Sequence, residues 1–179
     1  MSVKIIYFVH GTTTDNELHK AAGWNEVDLS EKGIEQSKAL RGKINIDEID
    51  FVISSDLRRA VHSANNIFEN DKEIIVDKRL RECDYGDFNG DDSSKVKYEE
   101  HIQESFPNGE CLIDVERRMR SLCNELLDKY NGKTIAFVAH KAPQLALDVI
   151  TKKMTWEDAI DNDWRKTKAW QPGWTYELK

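Results

Sequence analysis

Three residues of this sequence have side chains and positions suited to phosphoryl-transfer chemistry. His10 and His140 each directly follow a short apolar run, and Arg59 opens a helix-like segment behind a third run. An imidazole can act as nucleophile or proton carrier near neutral pH, and a guanidinium is a fixed charge that suits phosphate. For either histidine alone, a hydrogen-bonded structural side chain is the plainer interpretation. Their shared position after apolar runs favours a catalytic pair.

The elements that must position these residues are indicated by the apolar pattern. Short runs rich in β-branched residues predict strands at residues 3–9, 51–53, 74–76 and 134–139. Apolar residues at steps of three and four predict helices at residues 57–68 and 112–130. Pro143 suits the first turn of a helix after the last strand, and Thr155 resembles a capping residue that opens a short one.

This alternation of strands and helices predicts an α/β fold, a three-layer α/β/α sandwich with a mostly parallel central sheet. Ligands of such sheets bind beyond the carboxyl ends of the strands. That rule selects His10, Ser54, Ser55 and His140 at one edge of the sheet. The length of 179 residues predicts a single domain spanning residues 1–179.

Composition and charge narrow the classes of function. The chain is 39% hydrophobic and 33% charged, which excludes collagenous and wholly disordered proteins. A net charge of −7 disfavours a nucleic-acid partner, although a locally basic pocket can still bind a small anion. The sequence has no dinucleotide or P-loop glycine motif. Three cysteines, no secretory signal and no apolar run near the ~20 residues of a membrane span predict a cytoplasmic protein without membrane association.

Five segments, in order, resemble the motifs of the histidine phosphatase superfamily, also called phosphoglycerate-mutase-like. The resemblance runs along most of the chain and implies that family's fold. The matching residues are 9–13 with Asn16, Gly23 and Gly33; 54–60; 80–82 with Tyr85, Gly86 and Gly90; 107–110; and 139–140.

The resemblance also implies a role for each matching residue. His10 would be the nucleophile that becomes phosphorylated, while Arg59 and His140 would hold the transferring phosphoryl group. Glu82 would donate a proton to the leaving alcohol and then accept one from water. Positions that bind substrate in the family correspond to Thr13, Asn16, Gly23 and Tyr85.

Two departures from the family pattern change the charge near His10. Val9 stands where the family has an arginine, so a phosphate ligand is missing. Loss of one preorganised donor costs on the order of 10²- to 10³-fold in rate in other enzymes. Lys141 stands where the family commonly has glycine. One hypothesis is that Lys141 replaces the lost charge and binds substrate; the alternative is a solvated lysine at a helix start.

The function predicted is hydrolysis of a small phosphomonoester through a phosphohistidine at His10, without a metal or other cofactor. One alternative is a weakened or inactive phosphate-binding module of the same fold, which the missing arginine motivates. Another is a phosphotransferase of the phosphoglycerate mutase type. The expected partner is a small phosphorylated metabolite, and the oligomeric state stays open. The tryptophan-rich segment 156–174, which includes Arg165, Lys166 and Lys168, would either close the pocket or, on the plainer interpretation, cover the sheet edge and core.

Overall fold

The structure, a computed structural model, describes residues 1–179 and has a five-stranded sheet at its centre. The strand order is β3-β2-β4-β1-β5. The first four strands along the chain are mutually parallel, and β5 runs antiparallel to β1. The predicted α/β fold with a mostly parallel sheet is confirmed. The strands are β1 Val3–Val9, β2 Phe51–Ser54, β3 Ile74–Val76, β4 Thr134–Ala139 and β5 Trp174–Leu178.

Seven α-helices connect and flank these strands. They are α1 Thr14–Glu17, α2 Glu31–Arg41, α3 Arg58–Phe68, α4 Leu112–Lys129, α5 Lys141–Lys152, α6 Trp156–Asp161 and α7 Trp164–Thr167. The amphipathic patterns predicted α3 and α4 to within two residues, and α5 begins two residues before Pro143. Thr155 caps α6 by accepting a hydrogen bond from the backbone N–H of Asp158.

The sheet is covered on both faces because side chains of β1 alternate between two apolar clusters. Tyr7 packs in the larger cluster, which includes buried residues of α4, α5 and α6. Phe8 points to the opposite face and packs in the smaller cluster with Leu40 of α2 and Phe68 of α3. This arrangement gives the three layers of the predicted sandwich.

The parallel pairing of β1 with β4 places the two predicted catalytic histidines next to each other at one edge of the sheet. In the parallel pairing of β1 with β4, Val9 lies beside Ala139, and the backbone N–H of His10 donates to the carbonyl of Ala139 over 3.1 Å. The loop after β1 then passes so close to α2 that a Cβ on Gly11 would lie 2.3 Å from the carbonyl oxygen of Gly33. The structure has no helix that combines the length and apolar character needed to span a bilayer.

Candidate active site

The ends of β1 and β4 place two histidine rings side by side. The ring centroids of His10 and His140 are 5.0 Å apart. His140 is fully buried, whereas His10 keeps part of its surface open to a cavity. The adjacency follows from the parallel pairing, since both residues directly follow strands that are neighbours in the sheet.

His10 presents an unprotonated ring nitrogen. Its Nδ1 lies 2.7 Å from the carbonyl oxygen of Gly11. A carbonyl only accepts hydrogen bonds, so Nδ1 carries the hydrogen and Nε2 keeps its lone pair. Burial, reinforced by the charge of Arg59, lowers the pKa of His10 to about 3. The ring is therefore neutral near pH 7 and its Nε2 is available as a nucleophile.

His140 has the complementary arrangement, with a buried ring nitrogen that has no protein partner. Its Nε2 lies 2.9 Å from the hydroxyl of Ser55, which already accepts from the backbone N–H of Leu57. The hydroxyl hydrogen can be donated to Nε2, and in that tautomer the ring hydrogen of His140 lies on Nδ1. Burial, followed by the charge of Arg59, lowers the pKa of His140 well below its ordinary value. His140 Nδ1 is thus a buried ring nitrogen without a hydrogen-bond partner, in the ring beside His10.

Arg59 is buried although it lies off the apolar stripe of α3. It is 2% exposed and donates to the carbonyls of Gly23 over 2.6 Å and Asn25 over 3.0 Å. Gly23 adopts a φ of 53°, and a Cβ there would lie 1.8 Å from Oδ1 of Asn89. Gly23 therefore holds Arg59 through its carbonyl. Two of the five guanidinium N–H donors are used in these contacts.

Glu82 is anchored by hydrogen bonds from three segments. Its Oε1 accepts from the backbone N–H groups of Cys83 and Ala142 and from the Tyr98 hydroxyl. Its Oε2 accepts only from the backbone N–H of Lys141, over 3.2 Å. Two of these donors are the first N–H groups of α5, the helix that follows His140. Such groups have no partner within their own helix, so the Glu82 carboxylate also caps the N-terminus of α5.

These residues border a cavity of about 530 Å³, within the usual size of small-molecule sites. Of the residues predicted from the sequence, the cavity is lined by His10, Asn16, Glu82, Tyr85 and Lys141. The others lie behind this lining. Arg59 and His140 are buried next to His10, Gly23 holds Arg59, and Thr13 caps α1 by accepting from the N–H of Asn16.

The cavity also has lining residues that the sequence did not indicate. The hydroxyl of Tyr98 lies 2.8 Å from that of Tyr85 and donates to Glu82, which joins the two tyrosines to the carboxylate. Nothing local marks Tyr98, because it lies in an irregular segment and contacts Glu82 only through the tertiary fold. The further lining residues of this kind include Thr12, Lys20, Gln36, Ser93 and Val96. The tryptophan-rich segment, which was considered from the sequence as a cover for the pocket, contributes Trp164, Arg165 and Trp170 to the lining.

The charge balance of the lining favours an anionic ligand. Lys20, Lys141 and Arg165 contribute positive charge, whereas Glu82 is the single acidic residue. The protein as a whole carries a net charge of −7. A local positive potential within an acidic protein is the arrangement expected for a small anion.

Val9 and Lys141, the two residues that differ from the family pattern, both face the cavity. Val9 is half-buried on its lining and brings no charge. Lys141 is not fully solvated, because its Nζ lies 3.4 Å from Oδ2 of Asp163 and 4.4 Å from the ring centre of Tyr98. Asp163 itself is 1% exposed and also binds Arg165.

Other reactive side chains do not form a second centre. Cys83 is fully buried, and this burial raises the pKa of its thiol. No three histidine, cysteine, aspartate or glutamate residues are grouped so as to hold a metal ion.

The cavity has two regions. We call His10, Arg59, Glu82 and His140 the floor, and we call Asp163, Trp164, Arg165 and Trp170 the rim.

Comparisons with known proteins agree with this geometry. Residues 6–174 match the sequence model of a family described as the histidine phosphatase superfamily, branch 1. The chain is 29% identical over 156 residues to phosphoserine phosphatase 1 of Hydrogenobacter thermophilus, covering 81% of this chain and 74% of that protein. It is 31% identical over 170 residues to the 2,3-bisphosphoglycerate-dependent phosphoglycerate mutase of Mesorhizobium japonicum, covering 83% and 82%.

A solved structure extends the similarity to three dimensions. The structure of mycobacterial glucosyl-3-phosphoglycerate phosphatase in complex with VO3 superimposes with a TM-score of 0.76 at 26% identity. The match covers 88% of this chain and 85% of that one. Phosphatases and a mutase thus stand among the proteins that this chain resembles.

Proposed function

This chain belongs to the histidine phosphatase superfamily, and we propose that it hydrolyses a small phosphomonoester through a phosphohistidine at His10. The observation that carries the proposal is the state of the two histidines. His10 has a neutral ring with Nε2 unprotonated, and the unpaired Nδ1 of His140 lies in the neighbouring ring. A nucleophile beside a buried ring nitrogen that has no partner and can donate to a phosphoryl oxygen suits attack on a phosphoryl group.

In the first step, His10 Nε2 attacks phosphorus and the bond to the ester oxygen breaks. The charge spread over the phosphoryl oxygens would be stabilised by His140 Nδ1 and by the remaining donors of Arg59. Both groups are already fixed by other contacts, so little reorganisation is needed during the reaction.

Glu82 would serve both proton transfers. A proton on Oε2, the oxygen with a single hydrogen bond, would pass to the leaving alcohol as the ester bond breaks. Water would then return a proton to Glu82 while its oxygen attacks phosphorus. The bond between phosphorus and Nε2 breaks, which releases phosphate and restores His10.

The size and charge of the cavity support a small phosphorylated metabolite as substrate. About 530 Å³ accommodates a compact organic phosphate, and the lining lysines and arginine match its charge. Asn16, Tyr85 and Lys141 are proposed to bind the substrate at the lining, with Thr13 and Gly23 supporting Asn16 and Arg59.

Two alternatives are tied to particular observations. The uncharged Val9 on the cavity lining motivates a weakened or inactive phosphate-binding module. The 31% identity to a phosphoglycerate mutase motivates transfer of the phosphoryl group to an acceptor other than water. A mutase would pass the group from phosphohistidine to a hydroxyl of a phosphoglycerate, whereas a phosphatase releases inorganic phosphate.

The test compares the protein with His10→Ala and with His62→Ala, which changes an exposed histidine on α3. Phosphate release is measured from p-nitrophenyl phosphate and a panel of small phosphomonoesters, with EDTA present. We expect His10→Ala to lose hydrolysis, His62→Ala to keep it, and the unmodified protein to gain one phosphoryl mass on rapid acid-free quenching. Equal background in all three proteins would contradict hydrolysis, and phosphoryl transfer between phosphoglycerates without phosphate release would favour the mutase.

A further inference from the structure

We propose that Arg165, on the rim, supplies the phosphate-binding charge that is missing at position 9. The inference rests on the proposed function, because it assigns Arg165 to the phosphoryl group that His10 attacks. The residue comes from α7, more than 150 positions along the chain from His10. Arg165 would contact the phosphoryl oxygens directly and so would be a catalytic residue in the attack of His10 on the phosphoryl group.

The first support is position. Arg165, Val9 and His10 line the same cavity. The uncharged side chain of Val9 leaves the strand end without a cation, and Arg165 faces the same space from the opposite, C-terminal segment. Its charge also lowers the pKa values of both His10 and His140, so it acts on both rings of the site.

The second support is that the guanidinium is held in place. Nη1 donates to Oδ1 of Asp163 over 2.9 Å, and Nη2 donates to Oε1 of Gln144 over 3.2 Å. Both acceptor residues are buried, Gln144 at 1% and Asp163 at 2% exposure. The guanidinium also lies 4.3 Å from the ring centre of Trp164, which stacks on Trp174 at 4.9 Å.

These contacts connect Arg165 to the strand that carries His10. Trp174 begins β5 and pairs with Tyr7 of β1. Gln144, on α5, also accepts from the indole N–H of Trp164. Arg165 is therefore oriented by the sheet and by the helix that follows His140, as a preorganised ligand must be.

The third support is that the cation keeps unused donors. A guanidinium has five N–H groups, and two of those of Arg165 are used by Asp163 and Gln144. The remaining donors can form the paired hydrogen bonds by which arginine recognises phosphate.

Lys141 has a different part in this arrangement. Asp163 accepts ion pairs from both Lys141 and Arg165, so two positive charges share one negative charge and one positive charge is left. Lys141 Nζ also lies over the Tyr98 ring. Lys141 balances Asp163, and Arg165, with its planar fork, provides the ligand. This assignment replaces the hypothesis that Lys141 itself supplies the lost charge.

The experiment measures the binding of inorganic phosphate by calorimetry, alongside p-nitrophenyl phosphate hydrolysis, for Arg165→Ala and Arg165→Lys. The matched control is Lys166→Ala, which removes a cation of the same helix that pairs with Glu99 and Asp161 outside the cavity. Loss of charge-assisted hydrogen bonds predicts about 10- to 100-fold weaker phosphate binding in Arg165→Ala. Arg165→Lys keeps the charge without the fork and should fall in between.

Adding Val9→Arg to Arg165→Ala tests the replacement directly. We expect it to restore part of the phosphate affinity, and to add little when Arg165 is present. Phosphate binding by Arg165→Ala equal to that of Lys166→Ala would overturn the inference, even if His10-dependent hydrolysis is intact. A protein that binds phosphate through Arg165 but shows no hydrolysis would overturn the proposed function and the catalytic role of Arg165, and would keep Arg165 as the phosphate ligand. Absence of phosphate binding in the unmodified protein would overturn the inference as well.

Discussion

Two regions of the same cavity reach their positions by different means. At the floor, His10 and His140 are placed by neighbouring parallel strands, and their partners are backbone groups or a buried hydroxyl. At the rim, Arg165 is placed by side chains of Asp163, Gln144 and Trp164. The floor therefore depends on the main chain of the fold, while the rim depends on individual side chains that a single substitution removes.

The comparison predicts that floor substitutions change the chemical step and rim substitutions change binding and local stability. The largest expected effect is that of Glu82→Gln. Without the proton donor, hydrolysis of alkyl phosphates should fall by about 10²- to 10⁴-fold, because an alkoxide is a poor leaving group. Hydrolysis of p-nitrophenyl phosphate should fall far less, since its leaving group is stable as an anion. Steady-state kinetics on both esters measure the difference, and equal losses on the two would remove Glu82 as the proton donor to the leaving alcohol.

The next effect concerns the floor and pH. The pKa of His10 is about 3 in the folded protein and 6.5 when unperturbed. Between pH 6.5 and pH 3, His10 therefore binds a proton in the unfolded chain but stays neutral in the folded protein. The stability contribution is complete above pH 6.5 and is lost as pH falls towards 3, by up to about 5 kcal/mol.

His10→Gln should make the free energy of unfolding less dependent on pH in this range. Urea denaturation at several pH values measures it, with His62→Gln, an exposed histidine, as control. The same slope in His10→Gln and the unmodified protein would contradict a buried neutral ring.

At the rim, Asp163→Asn should lower stability by about 1 to 3 kcal/mol. The change leaves Lys141 and Arg165 without their shared counter-charge, and a buried ion-pair partner costs more to remove than an exposed one. Asp161→Asn, at an exposed position on α6, should stay within about 0.5 kcal/mol. Chemical denaturation of the two variants compares them, and matching midpoints would show that Asp163 does not hold the rim.

The smallest expected effect is that of Trp170→Ala. Trp170 is 52% exposed at the outer part of the rim, and Nζ of Lys43 lies over its ring. We expect KM for a small phosphomonoester to change a few-fold, with kcat unchanged, because Trp170 contacts the cavity and not the reacting atoms. A large fall in kcat at constant KM would contradict this prediction and indicate that Trp170 takes part in the chemical step.

The placement of the two floor histidines side by side was predictable from the sequence because its signals are local. Uninterrupted apolar runs mark β1 and β4, and each histidine follows its run directly, so the rule for parallel sheets brings them together. The assignment of roles came from the family motifs, since spacing alone does not distinguish a nucleophile from a structural histidine. Among the elements, α2 was not predicted because its buried positions include Gly33 and Ser37, which carry no apolar signal.

The rim was not predictable as a geometry. The contact between Arg165 and Gln144 joins residues 21 positions apart in a segment of short helices and turns. Likewise, Tyr98 reaches Glu82 from an irregular stretch. The strand β5 did carry a signal, the alternation of Trp174, Tyr176 and Leu178, whose period of two indicates an edge strand. The many tryptophan and charged residues around this segment obscured the alternation, so β5 was not predicted from the sequence.

The antiparallel strand β5 has a consequence for how the protein is made. Synthesis proceeds from β1 towards β5, and Val3 of the first strand pairs with Leu178 of the last. On the ribosome, β1 lacks one of its two neighbours until β5 has emerged, and Trp174 is absent as a support for Trp164 until then. The strand that precedes His10 thus emerges early, whereas the stacking of Trp174 on Trp164, which supports Arg165, becomes possible only after β5 has been synthesised.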